Sequence, residues 1–168
     1  MEIWKKKTDK IILDIKNSES IVKKSKIPKK YLADLEFING GKIKQKKVIP
    51  LSEFLKKLNE KERLKLIDKT TKFLLKLWSY GIHEKTFKLF SNLGIENREI
   101  MLIDVLEITS NKNKVLKQIR KKGWAKPDNY KKYLSKKEID YLIEKMNQTL
   151  TKENLNNYWK KKCLRKKC

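Results

Sequence analysis

From Leu64 the side chains Ile67, Thr71, Leu74 and Trp78 follow at intervals of 3, 4, 3 and 4 residues. That spacing lines one side of an α-helix, where 3.6 residues complete a turn, and is incompatible with a strand, whose faces alternate every second residue. The ends are marked too. Asn59 followed by Glu62 is a capping box, in which each side chain satisfies the other residue's free amide. Gly81 offers the left-handed residue on which helices stop. A helix from about Glu60 to Tyr80 is therefore expected to be the most buried element, with the rest of a 168-residue chain packed around it. A chain of that length supports one sizeable core, so residues 1–168 read as a single domain.

Around this helix the pattern is mixed. Ile11–Ile15 ("IILDI") reads as a strand, and the polar stretch to Pro28 carries no assignment. Asn39-Gly40-Gly41 between two β-leaning segments is a hairpin signal, because Asn and Gly tolerate positive φ. Ser52 is positioned to cap a short helix through Leu58. "NLGI" and "IMLID", joined by Glu96-Asn97-Arg98-Glu99, form a second expected hairpin. A third helix spans about Lys112–Lys122 and stops at Gly123. The capping box Ser135/Glu138 opens a helix with Ile139, Leu142, Ile143 and Met146 inward, and Thr151 starts a last one. The class is α+β, mostly helical.

Lysine and arginine number 44 against 20 aspartate and glutamate, a net charge of +24. The excess lies at the ends: 14 cations against 6 acids in residues 1–50, 11 against 9 in 51–109, and 19 against 5 in 110–168. Such a field attracts any polyanion, whether RNA, DNA or an acidic protein. A lysine-favouring composition, with Asn and Ile also abundant, would produce the same excess without a partner. No apolar run reaches the length of a membrane span, and the first residues lack a secretory h-region, so a cytoplasmic protein is expected. Cys163 and Cys168, in the basic tail 160–168, read as free thiols.

Gly81–Asp104 is nearly neutral within this basic chain and holds its single histidine. Three stretches, "KQKKVIPLSEFLKKL", "GIHEKTFKLFSNLGI" and "IMLIDVLEIT", follow one another as hinge and helix, catalytic loop, and metal-binding segment do in the protein-kinase-like family. Over Tyr31–Thr109 the chain resembles a divergent, truncated member of that family. The resemblance implies a kinase-like C-lobe with a small antiparallel hairpin as remnant of the N-lobe, residues 1–50 supplying the remnant strands and hinge and residues 51–168 the helical lobe. Asn92 and Asp104 would then hold Mg²⁺ on ATP, the oxygen ligands that phosphoryl transfer requires. His83 and Glu84 would lie on the cleft rim, with Glu84 as the nearby carboxylate base. The sequence departs from the family at defined points: Phe87 falls where the catalytic Asp is counted back from Asn92, and Asp104-Val105-Leu106 replaces Asp-Phe-Gly. The implied function is a small phosphotransferase or an inactive, pseudokinase-type scaffold.

An alternative rests on charge and the aromatics set among it. In "RKKGWAKPDNYKKY" aromatic residues alternate with cations, an arrangement in which Trp124 and Tyr130 could stack on bases while Lys121, Lys122, Lys126 and Lys131 hold phosphates. That makes the C-terminal third a candidate nucleic-acid-binding module; the same stretch also reads as a solvated connector whose Trp anchors to the core. The plainest alternative is an interaction protein with no small-molecule site.

Overall fold

The computed structural model describes residues 2–39 and 41–164. Its largest departure from the sequence reading is at the start. Ile11–Ile15 is not a strand but the middle of a long helix, α1 (Glu2–Ser25). The inward stripe of α1 is Ile15, Ser18, Val22 and Ser25, spaced 3, 4 and 3, so two of its four members are serines and no apolar period shows. The Ser25 hydroxyl donates to Val22 O at 2.7 Å, which satisfies it inside its own helix. Ile11 and Leu13, the residues that suggested a strand, point outward and are 50% and 57% exposed.

The first hairpin forms as expected. Strands β1 (Glu36–Ile38) and β2 (Lys42–Lys44) pair antiparallel around the Asn39–Gly41 turn, of which Gly40 lies outside the described residues. Gly41 adopts φ +74 there. A short strand β3 (Ile49–Pro50) then leads into the one-turn helix α2 (Leu51–Phe54), continued by a 3₁₀ turn over Leu55–Lys57. Ser52 does not cap α2. The boundary residue is Pro50, whose extended backbone (φ −59, ψ 146) turns the chain with no side-chain cap, while buried Leu51 and Leu55 fix the turn to the core.

Helix α3 (Glu60–Ser79) fulfils the expectation that opened the sequence reading. Both halves of the Asn59/Glu62 capping box are made, each at 3.0 Å. At the other end Gly81, at φ +73, donates to Trp78 O and Ile82 donates to Leu77 O, the paired bonds that close a helix on a left-handed residue. Ile67, Leu74, Leu77 and Trp78 are all within 1% of complete burial. Leu64, nearer the capped end, is half-buried against the same cluster.

Beyond α3 come β4 (His83–Glu84), α4 (Leu89–Asn92), the hairpin β5 (Leu93–Glu96) and β6 (Glu99–Leu102), and β7 (Ile108–Thr109). Strands β3, β5 and β6 form one antiparallel sheet in that order, and β4 pairs with β7 in another. Gly94 of β5 faces Pro50, where a side-chain Cβ would sit 2.6 Å from Val48, so the close approach of β3 needs glycine. Helices α5 (Lys112–Arg120), α6 (Lys136–Thr149), α7 (Lys152–Tyr158) and α8 (Lys161–Leu164) complete the chain. Ser135/Glu138 makes the expected capping box on α6, and Thr151 caps α7 through the Asn154 amide. On α6 Ile139, Leu142 and Met146 are buried and Ile143 is half-buried. The fold is thus α+β, mainly helical, with small antiparallel sheets, and no described helix is long and apolar enough to cross a membrane. The thiols of Cys163 and Cys168 fall outside the described residues.

Candidate functional site

The histidine of the Gly81–Asp104 segment comes first in its path. His83 lies on β4 opposite Thr109 of β7 and is 1% exposed. The Trp78 indole N–H donates to its Nδ1 at 3.0 Å, so the imidazole proton sits on Nε2, which donates to Gln118 Oε1 at 2.8 Å. Gln118 in turn donates from Nε2 to Lys85 O at 2.5 Å. Burial lowers the His83 pKa to about 4, the Gln118 bond opposing the shift only in part. This relay ties α3, β4 and α5 together around a neutral imidazole.

Beside it Glu84 is completely buried. Its Oε2 accepts from the Phe87 amide at 2.7 Å, and its Oε1 accepts from the Thr86 amide at 3.0 Å and Asn92 Nδ2 at 3.1 Å. Reaching Phe87 requires a sharp turn, and Phe87 takes φ +56, which costs a residue with a Cβ roughly 1–2 kcal/mol. Edge contacts of its ring with His83 at 5.5 Å and Trp124 at 5.7 Å hold it in place.

A second carboxylate closes the group. Glu107 Oε2 accepts from Asn92 Nδ2 at 2.7 Å and from the Thr86 hydroxyl at 2.9 Å, and its Oε1 meets Lys88 Nζ at 3.0 Å. The Thr86 hydroxyl also bonds Glu84 Oε1. One hydroxyl proton cannot serve two carboxylates, so both bonds are complete only when one acid keeps its own proton. Of the two, Glu84 has the surroundings that favour the proton: burial raises its pKa, with the bonds from Thr86, Phe87 and Asn92 pulling the other way. For Glu107 partial burial pushes upward, but the bonds from Asn92, Lys88 and Thr86 outweigh it and hold the carboxyl below its ordinary value.

These contacts correct the cleft expected here. His83 and Glu84 are interior residues rather than rim residues, and Glu84 cannot reach a substrate as a base. Asn92 is 4% exposed, its Nδ2 turned to Glu84, Thr86 and Glu107 and its Oδ1 accepting from Ser91 at 3.2 Å. Asp104 is half-buried, and its Oδ1 accepts from the Leu106 amide at 2.9 Å, which caps a turn. The two meet through the backbone, since Asn92 O accepts from the Ile103 and Asp104 amides at 2.9 and 3.2 Å. Among the described residues no group of three or more His, Cys, Asp or Glu side chains is arranged to hold a metal ion. The residues present do not fit Mg²⁺, which asks for oxygen ligands open to water and phosphate.

The nucleic-acid candidates divide differently. Trp124 and Tyr130 are 2% and 0% exposed and cannot stack on bases. Trp124 donates to Asn147 Oδ1 at 3.1 Å, and the Tyr130 ring packs edge-on to Phe90 at 6.1 Å. Of the two readings that the interleaved lysines left open, the anchor holds for both rings. Lys121, Lys122 and Lys126 are exposed without a salt bridge among the described residues, while exposed Lys131 pairs with Asp128 at 2.7 Å.

Helix α5 extends this surface from Lys121 through Lys114, Lys117 and Arg120, which were not singled out from sequence. Val115 is buried and Leu116 and Ile119 are half-buried, which turns Lys114, Lys117 and Lys121 to solvent at spacings of 3 and 4, with Arg120 beside them. None of these four makes a salt bridge among the described residues, and no acidic residue occurs between Glu107 and Asp128. The acid-free run was visible in the sequence; Thr86 and Glu107 left no such signal, because the bond that joins them spans 21 residues. Comparison with known proteins finds no matching family, no similar curated protein and no similar solved structure.

Proposed function

We propose that the protein binds nucleic acid through the basic face of α5 and the turn after it. The observation that carries the reading is the row Lys114, Lys117 and Lys121, exposed on one side of a helix in a stretch without acids (residues 108–127) and without a salt bridge among the described residues, in a chain of net charge +24. Charges without an intramolecular partner are the ones a phosphate backbone neutralises, with release of its counterions. The face is also rigid. Gln118 pins α5 from inside through His83 and Lys85, and Lys122 at φ +44 with Gly123 closes the helix by bonds to Ile119 O and Gln118 O. The test is the salt dependence of binding. Replacing Lys114, Lys117 and Lys121 by Gln should flatten the slope of log affinity against log salt by about 0.9 for each duplex phosphate no longer neutralised, or about 0.7 on single strands. An unchanged slope, or no binding by the parent protein at low salt, overturns the reading.

A second reading, the kinase-like one, is favoured by the backbone clamp between Asn92 O and the Ile103 and Asp104 amides, which joins the catalytic-loop-like and metal-hairpin-like segments. With Glu84 and Asn92 sealed inside, it takes the form of an inactive scaffold. A thermal-shift titration with Mg-ATP separates the forms: saturation at 100 times Kd adds roughly 2.7 kcal/mol to a binder and nothing to a scaffold.

A further inference from the structure

Away from α5 a second set of cations gathers over α3. Lys69, Lys72 and Lys76 follow at spacings of 3 and 4 and face Arg98, in the β5–β6 turn, across a groove of about 310 Å³. Phe73 and Ile100 line this groove with them, and Glu99 is the acid in its wall. On the other side of Lys72 and Lys76 lies a groove of about 340 Å³, lined by Leu75, Ser79, Tyr158, Lys161 and Lys162. The last helices reach it because the Lys160 amide donates to Trp78 O at 3.0 Å.

Among the described residues none of Lys69, Lys72, Arg98 and Lys161 makes a salt bridge. Lys76 and Lys162 lie 4.4 and 5.4 Å from the ring centroids of Tyr31 and Tyr80, so rings rather than carboxylates hold them. Tyr158 is 41% exposed. One groove therefore suits several negative charges, and its neighbour suits a flat apolar group beside an aromatic ring. A run of Asp or Glu supplies the charges without the flat group, and a duplex keeps its base faces stacked inside. A single strand offers both in alternation.

We propose that the twin grooves bind single-stranded nucleic acid, one base stacking on Tyr158 and the adjoining phosphates meeting Lys69, Lys72, Lys76 and Arg98. The proposal rests on the nucleic-acid reading above but places the base contact on other elements. Fluorescence anisotropy with a short labelled single strand, the same sequence as duplex, and polyglutamate as competitor tests it. Tyr158→Ala should weaken single-strand binding roughly 5- to 150-fold, the range that base–aromatic stacking covers, and leave duplex affinity and Tm unchanged. Tyr158→Phe, which keeps the ring, should bind as the parent does. Lys69→Gln with Lys72→Gln should flatten the single-strand salt slope by about 0.7 for each phosphate that the variant leaves unneutralised. A silent Tyr158→Ala, or displacement by polyglutamate as effective as by unlabelled single strand, overturns the twin-groove site. If the α5 variant still changes the slope in that case, this proposal falls alone; if the parent binds no nucleic acid, both fall together.

Discussion

The polar layer behind β4 and the basic face of α5 hold the same kinds of residue that mark functional sites, yet they differ in one respect. Inside, His83 is bonded to the side chains of Trp78 and Gln118, and Glu84, Thr86, Asn92 and Glu107 are bonded to one another or to the backbone. Outside, Lys114, Lys117 and Lys121 have no intramolecular salt bridge among the described residues. A buried polar group must be paired because an unpaired one costs about 1–3 kcal/mol, so full pairing is what a structural role demands. An unpaired surface cation incurs no such cost and stays free for a partner. Gln118 joins the regions, holding His83 from the end of the helix whose other side carries the lysines.

The comparison breaks most visibly at the hub of the interior layer. Trp78 is completely buried and donates to His83, so Trp78→Ala removes both a core ring and the bond that fixes the imidazole tautomer. A loss of about 3–5 kcal/mol is expected by chemical denaturation, as for other core aromatics. A loss under 1 kcal/mol would mean that α3 is not the centre of the core.

Protonation sharpens the contrast next. The unfolded chain takes up a proton on His83 near its ordinary value of 6.5, whereas the folded imidazole resists to about 4. Stability is therefore complete above pH 6.5 and falls as pH drops toward 4, by about 3 kcal/mol in total. Glu84 has the opposite sign. Its folded pKa is raised by burial, so the protonated form is favoured more in the folded than in the unfolded chain, and its contribution is full at low pH and lost as pH rises through the folded value. His83→Gln should remove the acid-side loss and Glu84→Gln the alkaline-side loss in denaturation measured across pH. Two variants with unchanged profiles would mean that neither group is sealed from water.

How much of this was legible in the sequence depended on whether the signal was local. Asn59/Glu62 and Ser135/Glu138 sit three residues apart, and the structure makes both boxes. The hairpins at Asn39 and at Glu96–Glu99 were local too, and they formed. Helix α1 escaped because Ser18 and Ser25 occupy its inward stripe. The β4–β7 ladder pairs two residues with two distant ones, which no periodicity announces. Glu107 enters the layer through Asn92 and Thr86, and only the folded chain brings them together. Trp124 and Tyr130 stayed ambiguous for the converse reason: their neighbours in sequence are cations, but their neighbours in space are Phe87 and Phe90.

One interior group stands outside the pairing rule. The Tyr130 hydroxyl is the buried side-chain polar atom that lacks a hydrogen-bond partner among the described residues. Burial, reinforced by the charge of Glu84, raises its pKa. Tyr130→Phe should then stabilise the protein by about 1 kcal/mol, since it deletes a desolvated hydroxyl and keeps the ring against Phe90. A loss of similar size would show that a bound water completes the layer, and the pairing rule would hold without exception.

The smallest effect belongs to the outer region, and its smallness is the point. Lys114, Lys117 and Lys121 lie on the solvent side of α5, where substitutions away from special features change stability by about 0.5 kcal/mol or less. The three lysines also repel one another, because Lys114 and Lys117, and Lys117 and Lys121, are neighbours on one helix face, and like charges at such spacings destabilise a helix. Replacing all three by Gln should therefore leave the unfolding midpoint in place or raise it slightly at low salt, where screening is weak. The same variant is expected to lose nucleic-acid affinity. A protein whose affinity falls while its stability holds has surface charges kept for a partner. One that unfolds with the substitutions would tie these lysines to the fold, and the distinction between the paired interior and the unpaired face would have to be drawn elsewhere.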